Sequence, residues 1–193
     1  MSSVKGQFDK FLVVDCETSG FNPGPDPSKD YQAVSWGLIV SDVKTFKPID
    51  GLYLEVKWNN LSKWSTDAEI IHGLSKSYLQ QHGVTEAEAA EQIGGLLVEH
   101  FDIDTPITLM GTNVSTFDLP FLRKLLNAYD LPFKFSHRAM DTFSLSMGTV
   151  QAFTSDELFE IINGKQRGKH NALDDAAASL KTFETIKRLW DTL

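Results

Sequence analysis

The sequence predicts a mixed α/β sheet covered by helices. Three segments with strand patterns come first and lie close together in the chain. The remainder alternates short apolar runs with segments of helical period, which is not the regular strand–helix repeat of a barrel. No internal repeat, low-complexity tract or linker divides the 193 residues, so we expect one domain over residues 1–193.

The strands are predicted from short apolar runs and from the alternation of apolar with polar residues. The first run ends abruptly in acidic residues, and the next two segments complete a meander of neighbouring strands. Three prolines within residues 21–30 predict a loop between the first two strands. The predicted strands cover residues 11–14, 32–41, 51–57, 106–111 and 138–142.

Several helix starts carry the spacing of a capping box, in which a hydroxyl and a carboxylate three residues later satisfy free amides of the first turn. Residues 117–129 and 172–190 carry apolar side chains at helical spacing, and Asn171 is the predicted N-cap of the second helix. The acids of interest fall at the ends of elements, where open α/β sheets place ligand sites. The capping-box pairs are Thr66 with Glu69, Thr85 with Glu88 and Thr154 with Glu157.

The overall composition limits the class of protein. A net charge of −8 argues against a protein that coats long duplexes, because nonspecific affinity for nucleic acid comes from Lys and Arg. It is compatible with a nucleic-acid enzyme whose acids gather at one site, because bound cations reverse the charge there. The single cysteine excludes an intramolecular disulfide, and no stretch approaches the roughly 18 apolar residues of a membrane span. We expect a soluble cytoplasmic protein that does not bind membranes.

Asp15 and Glu17 follow the first apolar run and are two residues apart, so their side chains leave the same face of an extended segment. Two carboxylates on one face repel each other unless a cation lies between them. Their hard oxygen atoms suit Mg²⁺ or Mn²⁺. An acidic strand end exposed to water explains the pair equally well.

Two later segments carry further candidate residues. Asp118 lies at the start of a middle helix, where the helix dipole favours an acid for structural reasons alone. His170 lies in a basic loop that leads into the final predicted helix, and Asp174 and Asp175 fall in the first turns of that helix. Taken one at a time, these residues fit solvated or capping roles as well as catalytic ones.

Together, the three segments resemble the exonuclease motifs of the DnaQ-like DEDDh superfamily in order and spacing. In that family the acid of the last motif lies five residues after the histidine, which selects Asp175 over Asp174. The resemblance implies a ribonuclease H-like fold, with a mixed five-stranded sheet flanked by helices. The matching residues are Asp15-x-Glu17-Thr18-Ser19-Gly20, Asn113 with Phe117-Asp118, and His170 with Asp175.

The resemblance implies a two-metal-ion 3′→5′ exonuclease that releases nucleoside 5′-monophosphates. It assigns two divalent cations, Mg²⁺ or Mn²⁺, to four carboxylates. It makes His170 the general base, because the ordinary pKa of an imidazole suits neutral pH. The implied metal ligands are Asp15, Glu17, Asp118 and Asp175. The candidate substrate contacts are Thr18, Phe21, His72, Asn113 and Phe117.

Some of these contacts also have a simpler structural explanation. Thr18 and Asn113 fit turns, and Phe117 fits the core. The basic loop before the histidine is a candidate for phosphate contacts, although a solvated loop accounts for its charges equally well. Its basic residues are Lys165, Arg167 and Lys169.

The nature of the nucleic acid is less strongly indicated. Single-stranded DNA is favoured, because Ile71-His72-Gly73 resembles a segment common in family members that degrade DNA. The alternative is an oligoribonuclease-type exoribonuclease, because three residues separate Asn113 from Phe117, as in oligoribonuclease-like and exonuclease I-like branches. A noncatalytic nucleic-acid-binding module is the alternative from another class, and clustered acids argue against it. The sequence contains no feature that decides between a homodimer, a polymerase-associated subunit and a separate enzyme.

Overall fold

The computed structural model describes residues 9–21 and 30–192. Over these residues the chain forms five strands and seven helices. The strands are β1 (Lys10–Thr18), β2 (Ala33–Asp42), β3 (Pro48–Glu55), β4 (Ile107–Gly111) and β5 (Phe135–Asp141). The helices are α1 (Thr66–His72), α2 (Lys76–His82), α3 (Glu86–His100), α4 (Asp118–Ala128), α5 (Thr142–Thr149), α6 (Ser155–Asn163) and α7 (Ala172–Trp190). Residues 22–29 of the predicted loop lie outside the described residues.

The strands form one mixed sheet in the order β3-β2-β1-β4-β5. β1, β2 and β3 are antiparallel neighbours, which confirms the predicted meander. β4 is parallel to β1, and β5 is parallel to β4. The strands β1, β4 and β5 therefore end at the same edge of the sheet. The predicted mixed five-stranded sheet is therefore confirmed, and β1 is its central strand.

The two faces of β1 serve different layers. Leu12, Val14 and Cys16 belong to a large core cluster that includes the buried faces of α3 and α4. Phe11 and Val13 belong to a second cluster with residues of α7. Because side chains alternate along a strand, Asp15 and Glu17 lie on the same face of β1 as Phe11 and Val13.

β1 is longer than the predicted apolar run. Its ladder with β2 continues through Asp15 opposite Gly37 and through Glu17 opposite Ser35. The two acids therefore lie within the strand rather than after it. Backbone pairing holds them in place, because each successive residue of the ladder is fixed by the neighbouring strand.

The start of α7 lies directly on β2 at Gly37. A Cβ atom added to Gly37 would lie 2.2 Å from the backbone carbonyl carbon of Ala172, so a larger residue does not fit without a shift. Since Gly37 is paired with Asp15, this close approach brings the first turn of α7 beside the acids of β1.

Two of the three predicted capping boxes are confirmed, those of Thr85 and Thr154. The one predicted for Thr66 is wrong. Ser65 is the N-cap of α1 and its side chain accepts a hydrogen bond from the amide of Ala68, whereas Glu69 accepts one from Trp64 Nε1 at 2.7 Å. The helix begins one residue earlier than the pattern suggested, because Ser65 offers an equivalent hydroxyl.

Helix α5 was not predicted. Its sequence is rich in Ser, Thr and Gly and does not place apolar residues on one side, so it lacks the periodic signal of an amphipathic helix. Asp141 caps it by accepting a hydrogen bond from the amide of Ser144 at 2.8 Å. Among the described helices, none combines the length and apolar composition that crossing a bilayer requires.

Candidate active site

One cleft of about 520 Å³ is lined by all ten residues that the sequence singled out as metal ligands, general base or substrate contacts. β1, α1, α6, α7 and the start of α4 contribute its walls. Segments far apart in the chain are thus brought together in one place. Further residues that line it are Cys16, Gly20, Asp67, Ala68, Ile71, Thr112, Thr116, Ser155, Leu158, Phe159, Arg167, Ala178, Ser179 and Thr182.

The two acids of β1 lie in a setting that disfavours their charge. Burial and the nearby carboxylate of Asp175 raise the pKa of Glu17 to about 7. Burial, together with the carboxylates of Asp118, Asp175 and Glu17, raises the pKa of Asp15 well above its usual range. Glu17 Oε1 is buried and has no hydrogen-bond partner among the described residues. An unpartnered buried carboxylate oxygen is costly, and a bound cation would satisfy it.

Asp118 is the first residue of α4 and is only 2% exposed. One of its carboxylate oxygens accepts a hydrogen bond from the backbone amide of Cys16 at 2.8 Å. Burial raises the pKa of Asp118 to about 7, although the hydrogen bonds from Cys16 act in the opposite direction. This contact fixes the start of α4 to the C-terminal part of β1 and holds the carboxylate next to the acids of that strand.

The N-terminus of α7 supplies the next acid. Asn171 is the N-cap, as predicted, and its side chain accepts hydrogen bonds from the amides of Leu173 and Asp174 at 3.1 and 3.2 Å. Asp175 is buried and lines the cleft, whereas its neighbour Asp174 is exposed and does not. By fixing where α7 begins, the cap determines that Asp175 faces the cleft and Asp174 faces solvent.

His170 precedes the cap and is held by its backbone amide, which donates to the carbonyl of Ile71 at 3.2 Å. Its Nδ1 lies 4.0 Å from Asp175 Oδ2, and its Nε2 lies 3.7 Å from Asp156 Oδ1. Burial, helped by the nearby Arg167, lowers the pKa of His170. A neutral imidazole at neutral pH can accept a proton, and two carboxylates stand ready to stabilise the cation that results.

Arg167 is the principal functional feature that sequence reasoning missed. It was treated only as a phosphate contact, but its Nη2 pairs with Asp175 Oδ2 inside the cleft. Its Nη1 donates to Asp156 Oδ1 at 3.3 Å and to Ser155 Oγ at 3.4 Å. Its position three residues before His170 in the sequence indicated that it lies near the site. Only the position of α6 in the fold distinguishes it from the other basic residues of the loop.

Two of the candidate substrate contacts carry exposed polar or aromatic groups. The ring of Phe21 is 81% exposed at the mouth of the cleft, which leaves a face open for stacking. Asn113 is exposed in a left-handed backbone conformation with φ of 54°, and its carbonyl accepts hydrogen bonds from the amides of Thr116 and Phe117. Asn113 is therefore a turn former, and its side chain also lines the cleft.

The other three candidates are engaged within the protein. Thr18 Oγ1 donates to the carbonyl of Gly20 at 2.7 Å. His72 is buried, and its Nδ1 accepts a hydrogen bond from the amide of Leu74 at 2.9 Å. Phe117 packs at an angle against Phe121, with the ring centroids 5.6 Å apart, and adjoins the large core cluster. These side chains form fixed walls of the cleft.

The residues present fit a divalent cation. Glu17, His170 and Asp175 each offer a ligand atom, and these atoms lie within 4.8 Å of one another. The carboxylates are the hard oxygen donors that Mg²⁺ and Mn²⁺ prefer. Another group with the same spacing has exposed acids, and its histidine is already bound to a carboxylate at 2.8 Å. It consists of Asp50, Glu99 and His100.

Comparison with known proteins identifies the fold as the ribonuclease H-like fold of exonucleases, as the resemblance of the motifs predicted. The chain is similar to E. coli exonuclease I in complex with a dT13 oligonucleotide carrying a 5cy label, with a TM-score of 0.72 and 20% identity over 96% of this chain. A zinc-bound form of the E. coli enzyme with single-stranded DNA gives the same values. A product-bound exonuclease I gives a TM-score of 0.70 and 19% identity over 96% of this chain.

The shared region is only part of those proteins. This chain covers 43% of the two E. coli enzyme chains and 46% of the product-bound one. No family model matches the sequence, and no curated protein does. At this level of identity the similarity establishes the fold, while the chemistry has to be argued from the cleft itself.

Proposed function

We propose that this chain is a two-metal-ion 3′→5′ exonuclease that releases nucleoside 5′-monophosphates from the 3′ ends of single-stranded DNA. The observation that carries the proposal is the meeting of four carboxylates and a neutral histidine in one cleft. Clustered acids with raised pKa values are costly to keep, and a site that holds cations gives them a purpose. The similarity in fold to a complex of exonuclease I with single-stranded DNA supports this choice of substrate.

Asp15, Glu17, Asp118 and Asp175 would hold two ions of Mg²⁺ or Mn²⁺. Such ions, when bound, lower the pKa of a coordinated water and neutralise negative charge on the phosphodiester. The carboxylates are fixed before the substrate arrives. β1 carries two of them in its ladder, and the Cys16 amide orients Asp118. This rigidity favours catalysis, because no reorganisation is needed at the moment of reaction.

His170 acts as the general base in this proposal. Because burial and Arg167 lower its pKa, the imidazole is neutral at neutral pH and has a lone pair free to take a proton from the attacking water. The imidazolium that forms is stabilised by Asp175 and Asp156, whose oxygens lie 4.0 and 3.7 Å from its two ring nitrogens. As the water oxygen bonds to phosphorus, the bond from phosphorus to the 3′ oxygen of the preceding nucleotide breaks, and that oxygen takes a proton from solvent. His170 gives its own proton to solvent, since the ring is partly exposed.

The remaining candidates position the 3′ end. The exposed ring of Phe21 stacks on a base, which gives grip without sequence preference. Thr18, the buried His72, Asn113 and Phe117 line the cleft around the terminal nucleotide. An exonuclease needs such contacts, because it must tell a terminus from an internal segment.

The proposal is tested by digesting matched single-stranded DNA, duplex DNA and RNA, each with a 3′-hydroxyl and a label at either end. We expect Mg²⁺-dependent shortening from the 3′ end, fastest on single-stranded DNA. Asp15→Asn should abolish it, whereas Asp50→Asn, in the exposed acidic group, should not. Shortening from the 5′ end, or activity surviving in Asp15→Asn, would reject the proposal. Faster digestion of RNA would favour an exoribonuclease, and binding without degradation by the wild type would favour a noncatalytic module.

A further inference from the structure

We propose that Arg167 occupies the carboxylate cluster of the cleft in the metal-free protein and gives up Asp175 when a divalent cation binds. This inference rests on the proposed function, because it concerns the same cleft. It assigns Arg167 a role as an internal stand-in for the cation, distinct from the contact with substrate phosphate that the sequence suggested.

The charge in the cleft requires such a group. Four carboxylates predicted as metal ligands line it, together with Asp67. Among the described residues that line the cleft, Arg167 is the one whose side chain is positively charged at every relevant pH, since the other basic residues there are histidines. Without a cation, carboxylates at this density would have to take up protons or separate.

Arg167 is placed where a cation would bind. Its Nη2 pairs with Asp175 Oδ2, and the same oxygen lies 4.0 Å from His170 Nδ1. Asp175 also shares with Glu17 and His170 the set of ligand atoms that lie within 4.8 Å of one another. A Mg²⁺ ion sits about 2.1 Å from its oxygen ligands, so an ion bound to this oxygen and a guanidinium paired with it would be neighbours on the same atom. Two positive charges held by one oxygen repel each other in a buried site.

The guanidinium has a second anchorage to which it can withdraw. Its Nη1 already donates to Asp156 and Ser155 at the start of α6, and its Cζ lies 5.6 Å from the ring centre of Phe159. Arg167 Nε is buried without a hydrogen-bond partner among the described residues, so the present arrangement does not satisfy the whole side chain. Release of Asp175 therefore leaves Arg167 bound to α6 and needs no unfolding of the loop.

This exchange has a reciprocal consequence. If cation binding weakens the pair between Arg167 and Asp175, the pair must weaken cation binding by the same factor. Removing the guanidinium should then harm the metal-free protein, whose carboxylates lose their compensating charge, and should tighten cation binding. If the arginine merely supported the fold, its removal would instead destabilise the metal-free and the metal-bound protein alike.

The test compares Arg167→Gln with Lys165→Gln. Lys165 is an exposed residue of the same loop that does not line the cleft, so its variant controls for the loss of one charge. Mn²⁺ affinity is measured by calorimetry, and melting temperatures are recorded in EDTA and in saturating Mn²⁺. We expect Arg167→Gln to bind Mn²⁺ about tenfold more tightly and to lose melting temperature mainly in EDTA. Lys165→Gln should change neither.

Other outcomes have definite meanings. Unchanged or weaker Mn²⁺ binding by Arg167→Gln, or an equal loss of melting temperature in both conditions, overturns the exchange while leaving the proposed function intact. If Arg167→Gln does not fold in EDTA, Arg167→Lys replaces it. The lysine keeps the charge but lacks the paired donors, so its Mn²⁺ affinity should lie between those of the wild type and the tenfold gain. An affinity equal to that of the wild type or weaker would reject the exchange. Absence of Mn²⁺ binding in the wild type itself would reject the proposed function.

Discussion

Asp174 and Asp175 are neighbours in the chain but face different surroundings. Asp174 is exposed, whereas Asp175 is buried in the cleft and paired with Arg167. The two therefore form a natural matched pair for separating a local change in charge from the loss of a ligand. The N-cap at Asn171 decides which of them points inward, because it fixes where the helix starts.

We expect Asp175→Asn to lower exonuclease activity by more than about 100-fold, because an amide oxygen is a much poorer ligand for Mg²⁺ than a carboxylate. Asp174→Asn removes the same charge one residue away and should stay within about twofold of the wild type. The measurement is the initial rate of release of nucleotides from a labelled single strand. Equal losses in the two variants would show that the cleft does not use Asp175 as a ligand.

The raised pKa of Glu17 makes a prediction about stability. Glu17 binds its proton more tightly in the folded protein, where its pKa is about 7, than in the unfolded chain, where it is near 4.5. Folding of the metal-free protein is therefore favoured at low pH and loses on the order of 3 kcal/mol as the pH rises between these two values. Denaturation in EDTA should show stability falling over this range, and Glu17→Gln should flatten the fall. A wild-type curve with no such fall would contradict the burial of this carboxylate.

Among the single residues, the sequence predicted which acids and which histidine would meet, because their spacing matched known motifs. It did not predict the pairing of Arg167 with Asp175. That contact depends on how α6 lies against α7, which no spacing within the loop encodes. The engagement of Thr18 with its own turn was likewise one of two open alternatives that only the folded backbone could separate.

Among the elements, α7 has the strictest requirement for position. It packs on β1 and β2, and its first turn meets the backbone of β2 at Gly37. Gly37 is not near a turn and makes no use of unusual backbone freedom. It is required because the backbone of Ala172 occupies the space that a side chain would fill.

Gly37→Ala should therefore push the start of α7 away from the sheet and displace Asp175 from Asp15. We expect a loss of about 1–3 kcal/mol in unfolding free energy, as in other overpacked sites, and weaker Mn²⁺ binding by calorimetry. Gly51→Ala is the matched control, because a Cβ there would meet only a carbonyl oxygen of Leu38 at 3.5 Å. If the two variants bind Mn²⁺ equally well, the position of α7 does not set the geometry of the cleft.

The sequence predicted α7 between Ala172 and Trp190, because its cap and its long apolar period agree. The prediction from sequence failed where the apolar period was weak, as in α5, or where two residues could serve as the cap, as in α1. Helix α5 has no strong amphipathic pattern and few good helix formers, and its formation depends on the cap at Asp141 and on tertiary packing. At α1, adjacent hydroxyls at Ser65 and Thr66 made the starting residue ambiguous until the backbone was known.

For the whole molecule, the net charge has to be reconciled with the proposed function. The net charge of −8 disfavours general attraction to nucleic acid, whereas the exonuclease proposed from the cleft needs a nucleic-acid substrate. The two agree if binding relies on the 3′ end and on metal-held phosphate rather than on a long basic surface. The sheet order was predictable only in outline, since the parallel placement of β4 and β5 depends on long crossovers that local patterns do not specify.

If the protein binds the 3′ end in this way, its affinity for a single strand should depend only weakly on salt concentration. We expect the affinity of His170→Ala, which keeps the four carboxylates, for a labelled single strand to fall by less than about tenfold between about 50 and 200 mM KCl, because few phosphates are neutralised by side chains. Fluorescence anisotropy measures this directly, and the inactive variant prevents digestion. A loss of about a thousandfold would indicate a broad basic track along the strand and would contradict an end-binding mode.

Asp175 comes latest in the chain of the four carboxylates that gather in the cleft. During translation, Asp15, Glu17 and Asp118 therefore leave the ribosome well before the helix that carries the remaining acid. Because α7 must pack on β1 and β2 to bring Asp175 into place, an emerging chain cannot assemble the site. If the protein cuts nucleic acid as proposed, it cannot do so until that helix has been made and has folded onto the sheet.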